Sequence, residues 1–203
     1  MSTDPAAGPG PVEERVVLLD AVGRAVGTAP KGGVHHADTP LHLAFSAYLF
    51  SATGELLVTR RALDKATFPG VWTNSVCGHP APGEAPAQAV VRRARRELGL
   101  EVTRLRLVLP RFAYRAEMDG VVEHEMCPVY AAWLAPGASP RLDPTEVHEA
   151  VWVPWREFAD EVLAGRREVS VWCAEQVAQL ADLGPDPQAW PAADQQELPP
   201  AAR

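Results

Sequence analysis

Between Gly78 and Leu100 the chain carries a fixed ladder of spacings that leaves few folds open to it. Five residues separate Gly78 from Glu84, seven separate Glu84 from Arg92, and the run closes on Glu97-Leu98-Gly99-Leu100. Pro86 suits a first helical turn, where a missing N–H costs nothing. Ala87, Val90, Val91, Ala94 and Leu98 fall at i, i+3, i+4, i+7 and i+11, which predicts one buried stripe on a helix ended by Gly99. The polar side gathers Arg92, Arg93, Arg96 and Glu97. Glu97 falls in the last turn, where the helix macrodipole disfavours an anion, so a cation partner is expected for it. The plain alternative is a solvated charged face.

Around this helix the apolar pattern alternates repeatedly. Strands are expected over residues 15–20, 42–50, 55–61, 71–77, 104–109, 111–117, 121–134 and 150–153, with residues 51–54 as a hairpin turn. Further helices are expected over residues 155–164 and 169–183. Residues 1–14 and 184–203 are rich in Pro, Ala and Gly and predict tails flanking a single domain over 15–183. Many strands with one central and two peripheral helices predict an α+β layered domain.

The net charge of -7 offers no basic surplus for nucleic acid. Of the 19 basic residues only Lys31 and Lys65 are lysines. Three widely spaced cysteines make no disulfide framework, and a reducing cytoplasm is the expected location. No secretory leader is read at the N-terminus, and no apolar run is long enough to span a bilayer.

Three further clusters bear chemistry. In Thr73-Asn74-Ser75-Val76-Cys77-Gly78-His79-Pro80, extended geometry points Cys77 and His79 to one side. A thiol there exchanges protons near neutral pH if cations lower its pKa; the bland reading is a small core hydrophobe. His35 and His42 lie seven apart across Asp38-Thr39-Pro40, which breaks any helix between them. Glu123 and Glu125 share a strand face, and two such carboxylates repel unless they share a cation or a proton. Three imidazoles (His35, His42, His79) and these two carboxylates form an N/O set suited to Mn2+, Zn2+ or Mg2+.

Taken together, these strings resemble the type I isopentenyl-diphosphate Δ-isomerase family of the Nudix superfamily. The resemblance spans roughly residues 16–183. It rests on Lys31 with His35, Ala37-Asp38-Thr39 with Leu41-His42, Leu57 to Leu63 with Lys65, the Trp72-Thr73-Asn74-Ser75-Val76-Cys77-Gly78-His79-Pro80 run, Arg92-Arg93 with Glu97-Leu98-Gly99, and Glu123 and Glu125. It implies an α/β/α layered domain with a mixed sheet, an extra N-terminal strand and C-terminal helices. It implies that His35, His42, His79, Glu123 and Glu125 bind one divalent metal and that Glu97 holds an Mg2+ arriving with the substrate diphosphate. Lys31, Arg61, Lys65 and Arg93 would clamp the phosphates. Cys77 and Glu125 would be the acid/base pair, with Tyr114 assisting Glu125 and Trp172 lying over the reacting carbons. No flavin is implied.

Arg93 and Arg96 stand where hydrolytic members of the superfamily place metal-binding glutamates, which favours gripping a diphosphate over cleaving it. The expected partner is therefore a small isoprenoid diphosphate, with no nucleic acid or membrane, acting on a monomer. The alternatives are a Nudix hydrolase of a nucleoside or other diphosphate, which would release phosphate, and a binding module without turnover.

Overall fold

A six-residue strand with every side chain buried needs cover on both faces, and that requirement organises the molecule. In the computed structural model, which describes residues 13–203, this strand is β4 (Phe45–Phe50). Chain order before it is β1 (Arg15–Leu19), β2 (Ala25–Pro30), a 3-10 turn at Lys31–Gly33 and β3 (His42–Leu43). After it come β5 (Glu55–Arg61), β6 (Trp72–Thr73), β7 (Val76–Gly78), α1 (Pro86–Leu98), β8 (Val102–Leu109), β9 (Ala113–Met118), β10 (Val121–Met126), β11 (Val129–Leu134) and β12 (Val147–Pro154). Helices α2 (Trp155–Leu163) and α3 (Val171–Ala181) follow, then three short 3-10 turns.

The strands form two sheets, in the orders β2-β1-β3-β10-β9 and β12-β5-β4-β11-β8, with β6 and β7 added to β5 and β4. Alternate residues of β4 face opposite ways. Phe45, Ala47 and Leu49 pack with Ala89, Val90, Ala94 and Leu98 of α1. Tyr48 and Phe50 pack with Trp155, Phe158 and Val177 of α2 and α3. The mixed sheet is thus layered between helices, as expected.

Two expected strands each divide between the sheets. Residues 42–50 break at Ala44 into β3 and β4, and residues 121–134 break at Cys127-Pro128 into β10 and β11. Pro128 has no N–H to give a ladder. The two crossings run side by side and parallel, joined by bonds from Ala44 N–H to Met126 O (2.9 Å) and Ser46 N–H to Pro128 O (3.1 Å). This junction places Glu125 in register with His42 on one side and Tyr114 on the other.

Several expectations need correction. β2 carried no sequence signal because it is an exposed edge strand of Ala, Gly and Thr, without apolar alternation. The buried stripe of α1 is Pro86, Ala89, Val90, Arg93, Ala94, Glu97 and Leu98, whereas Val91 is exposed. Arg93 and Glu97 turn inward because they face a pocket rather than solvent.

Residues 184–203 are not a loose tail. Trp190 is 1% exposed and packs edge-on against Phe50 and Trp155, while Leu198 and Ala202 join the core on the α1 side. A low density of apolar residues concealed three well-placed anchors. At the other end, residues 1–12 of the expected 1–14 tail lie outside the described residues. Glu14 is engaged, its carboxylate meeting Lys31 (2.7 Å) and Arg96 (2.6 Å).

Candidate active site

The sheet junction opens into a pocket of about 690 Å³. Its walls include Lys31, His35, Arg61, Lys65, Cys77, His79, Arg93, Glu97, Tyr114, Glu123, Glu125 and Trp172. Of the metal, phosphate and acid/base residues implied by the resemblance, only His42 is absent from this lining, and it sits fully buried directly behind His79; Glu84, Arg92 and Arg96 of the helix motif lie outside it.

One end of the pocket is a histidine cluster. One potential ligand atom from each of His35, His42, His79 and Glu125 lies within 4.8 Å of the others. The Nε2 atoms of His42 and His79 approach to 3.2 Å, and Glu125 Oε1 is 3.0 Å from His79, 3.4 Å from His42 and 3.8 Å from His35. His42 Nδ1 contacts the Pro40 carbonyl at 2.9 Å; donation there leaves its Nε2 lone pair facing the cluster. His35 Nε2 is buried without a hydrogen-bond partner. Three converging imidazoles, one of them with an orphaned ring nitrogen, and a carboxylate fit a divalent metal ion better than they fit one another. Burial holds His79 down to about 4, which keeps its ring neutral as a ligand requires.

Glu123 lies beside this group rather than within it. Tyr114 Oη lies 2.8 Å from Glu123 Oε2 and 2.9 Å from Glu125 Oε2, and Arg61 Nη2 lies 3.9 Å from Glu123 Oε1. The two carboxylates are pushed apart in acidity. Burial and the Glu125 charge raise Glu123, whereas at Glu125 the upward push of burial is outweighed by the three surrounding histidines, which hold it well below the carboxylate range. Burial and both carboxylates keep the Tyr114 phenol protonated. One hydroxyl hydrogen serves one acceptor at a time, so a proton on Glu123 completes the chain Glu123–Tyr114–Glu125.

Trp172 lies over this chain, its ring 5.4 Å from that of Tyr114 and 5.0 Å from that of Phe68. Asn74 ties the indole to the thiol. Its Oδ1 accepts from Trp172 Nε1 (3.3 Å), Cys77 Sγ (3.1 Å) and the Thr73 hydroxyl (2.9 Å). Behind the thiol, Ser46 Oγ sits 3.4 Å from Cys77 Sγ and is itself held by Gln176 at 2.9 Å. The condition set for proton exchange near neutral pH, a Cys77 pKa lowered by cations, is not met. Burial pushes the thiol up to about 11, and the contacts from Ser46, Asn74 and Arg61 only partly oppose it.

The other end is basic and already matched with acid. Lys31 meets Glu14, Lys65 meets Glu146, and Arg93 meets both Glu97 and Glu146 (3.2 Å). Arg61 links the two ends. Its guanidinium donates to the Thr67 and Phe68 carbonyls and lies 5.8 Å from the Trp172 ring centre. Sequence reasoning missed Asn74, Ser46, Glu14 and Glu146. The polar run Thr73-Asn74-Ser75 inside a buried β-leaning stretch was a usable signal for Asn74. Glu146 sits in a loop turn with no local signature.

Residues 40–173 match the NUDIX domain family. The chain is 55% identical over 190 residues to an isopentenyl-diphosphate Delta-isomerase of Saccharopolyspora erythraea, covering 93% of this chain and 97% of that protein. The chain belongs to the isopentenyl-diphosphate Δ-isomerase family of Nudix proteins. A second member of this isomerase family, from Rhizobium rhizogenes, is 52% identical over 192 residues, covering 94% of this chain and 91% of that one. Among solved structures, DR0079 from Deinococcus radiodurans superposes with a TM-score of 0.61 at 22% identity, covering 82% of this chain and 98% of that one. That similarity carries the fold alone.

Proposed function

We propose that the chain interconverts isopentenyl and dimethylallyl diphosphate by delivering a proton to one alkene carbon and removing one from another. The observation that carries this reading is a single pocket holding two proton-exchanging groups, the Tyr114–Glu125 pair and the Cys77 thiol, beneath an indole and beside a basic wall. Protonating an unactivated alkene creates a tertiary cation, which needs a dry site and an aromatic face. Trp172 supplies that face. Asn74 fixes Trp172 and Cys77 in one frame, so the stabilising ring and the thiol keep a constant relation. Because the reaction adds one proton to the carbon skeleton and removes another, acid and base exchange protonation states during turnover.

Lys31, Lys65 and Arg93 hold the diphosphate, and Arg61 braces the loop beneath it. Anchoring there places the hydrocarbon against the two proton-transfer groups. Four residues, His35, His42, His79 and Glu125, would hold one divalent ion; Glu97 would hold an Mg2+ brought by the diphosphate. Such ions would fix the Glu125 carboxylate and neutralise phosphate charge. Glu123 is supported more strongly as the partner of Tyr114 than as a metal ligand. Arg93 and Arg96 in place of carboxylates leave the diphosphate uncut, an advantage when a cation two carbons away could expel it.

The test is incubation with isopentenyl diphosphate and Mg2+, followed by NMR. Dimethylallyl diphosphate should form without released phosphate. Excess chelator should abolish the conversion, and added Mg2+ or Mn2+ should restore it. Phosphate release without isomer would overturn the reading, and full activity in chelator would overturn its metal part.

A further inference from the structure

The basic wall of the pocket is electrically balanced before any ligand arrives. Lys31, Lys65 and Arg93 face it, and each is in ionic contact with a carboxylate, from Glu14, Glu146 and Glu97. Glu146 is the hub, since it serves Lys65 and Arg93 together. Its side chain is 11% exposed. Its backbone is pinned on both sides, with Glu146 N–H donating to Asp143 O and Ala62 N–H donating to Glu146 O, both at 3.0 Å. The Thr145 hydroxyl and N–H fix Asp143 in turn. The backbone fixes where the side chain starts, and burial together with the Lys65 and Arg93 contacts holds the carboxylate in the wall. Across the Arg93 guanidinium, Glu97 is 6% exposed, and its Oε1 accepts no directed hydrogen bond.

A bare diphosphate entering this wall finds cations already neutralised and meets two fixed carboxylates of its own sign. The same diphosphate carrying a divalent cation turns that repulsion into attraction, because the cation can lie between phosphate and carboxylate oxygens. We propose that Glu146 is a specificity-determining residue that makes diphosphate capture conditional on a divalent cation. This rests on the diphosphate reading of the pocket given above. It assigns Glu146 a discriminating role, in place of simple stapling of two fold elements.

Glu146→Gln keeps the size of the side chain and an acceptor for Lys65 and Arg93 while releasing one positive charge into the wall. Inorganic pyrophosphate is titrated calorimetrically into the full chain, wild type and E146Q, in chelator and in excess Mg2+. E146Q should bind metal-free pyrophosphate at least tenfold more tightly than wild type, and its ratio of affinities with and without Mg2+ should shrink by at least tenfold. Equal or weaker metal-free binding by a folded E146Q would overturn the proposal.

Lys65→Met provides a second test should E146Q fail to fold, because it leaves Glu146 with Arg93 as its remaining cation, which is shared with Glu97. Its Mg2+ ratio should rise above wild type, and an unchanged ratio would also overturn the proposal. Failure of the underlying reading looks different: wild type in Mg2+ would bind neither pyrophosphate nor isopentenyl diphosphate.

Discussion

Cys77 illustrates how a single side chain is prepared by its neighbours. The thiol donates to Asn74, touches Ser46, and lies in a region dry enough to push it up to about 11. None of these contacts involves the basic wall. Cys77→Ala should therefore leave diphosphate affinity within about threefold while turnover drops by more than tenfold, a barrier increase above ~1.4 kcal/mol. Pyrophosphate calorimetry alongside isomer formation checks both halves. Turnover within tenfold of wild type would remove Cys77 from the proton path.

Cys77 was legible because it stands in a diagnostic run, and Lys31 and Lys65 came from the family resemblance, with added weight because lysine is otherwise absent. Glu146 and Glu14 were invisible for a physical reason. Their meaning lies in charge contacts across 81 and 17 residues, respectively, and no local spacing encodes such contacts.

Among the elements, α1 depends most on how it stops. Gly99 adopts φ +63 and closes the helix with its N–H on Arg95 O, while Arg141 N–H caps Leu98 O at 2.7 Å. A Cβ at Gly99 would meet Arg141 Cβ at 3.1 Å. Gly99→Ala thus combines a left-handed backbone penalty of about 1–2 kcal/mol with displacement of the segment that caps the helix. A melting temperature lower by about 2–8 °C is expected, from roughly 2–4 °C per kcal/mol at this chain length. An unchanged melt would show that the terminus relaxes freely.

Helix boundaries of this kind were legible, since Pro86 and Gly99 announce them. The two divided strands were not. Residues 42–50 and 121–134 each read as one extended stretch, and nothing in such a stretch tells which sheet its halves join. Pairing partners decide that. The division matters because it places His42, Glu125 and Tyr114 side by side.

At the scale of the whole molecule, the segment after α3 acts as a clasp. Trp190 contacts Trp155 and Phe50 on one helical face of the sheet, donates Nε1 to Gly184 O at 2.8 Å, and leads to Leu198 and Ala202 on the opposite face. A free tail would tolerate Trp190→Ala without effect. The packing here predicts a loss of about 3–5 kcal/mol for a buried Trp-to-Ala change, or a melting temperature lower by roughly 6–20 °C. Thermal unfolding monitored by circular dichroism distinguishes the two outcomes.

What the chain determined by itself was its local chemistry: one capped helix with an arginine-rich face, a thiol and histidine on a strand, and two carboxylates on another. Periodicity and motif spacing carry such information because they act over a few residues of backbone geometry. Tertiary structure alone decided which charges neutralise one another, which half of each long strand crosses to the second sheet, and that a proline-rich end packs as core. Those outcomes depend on distance and desolvation between segments far apart in sequence.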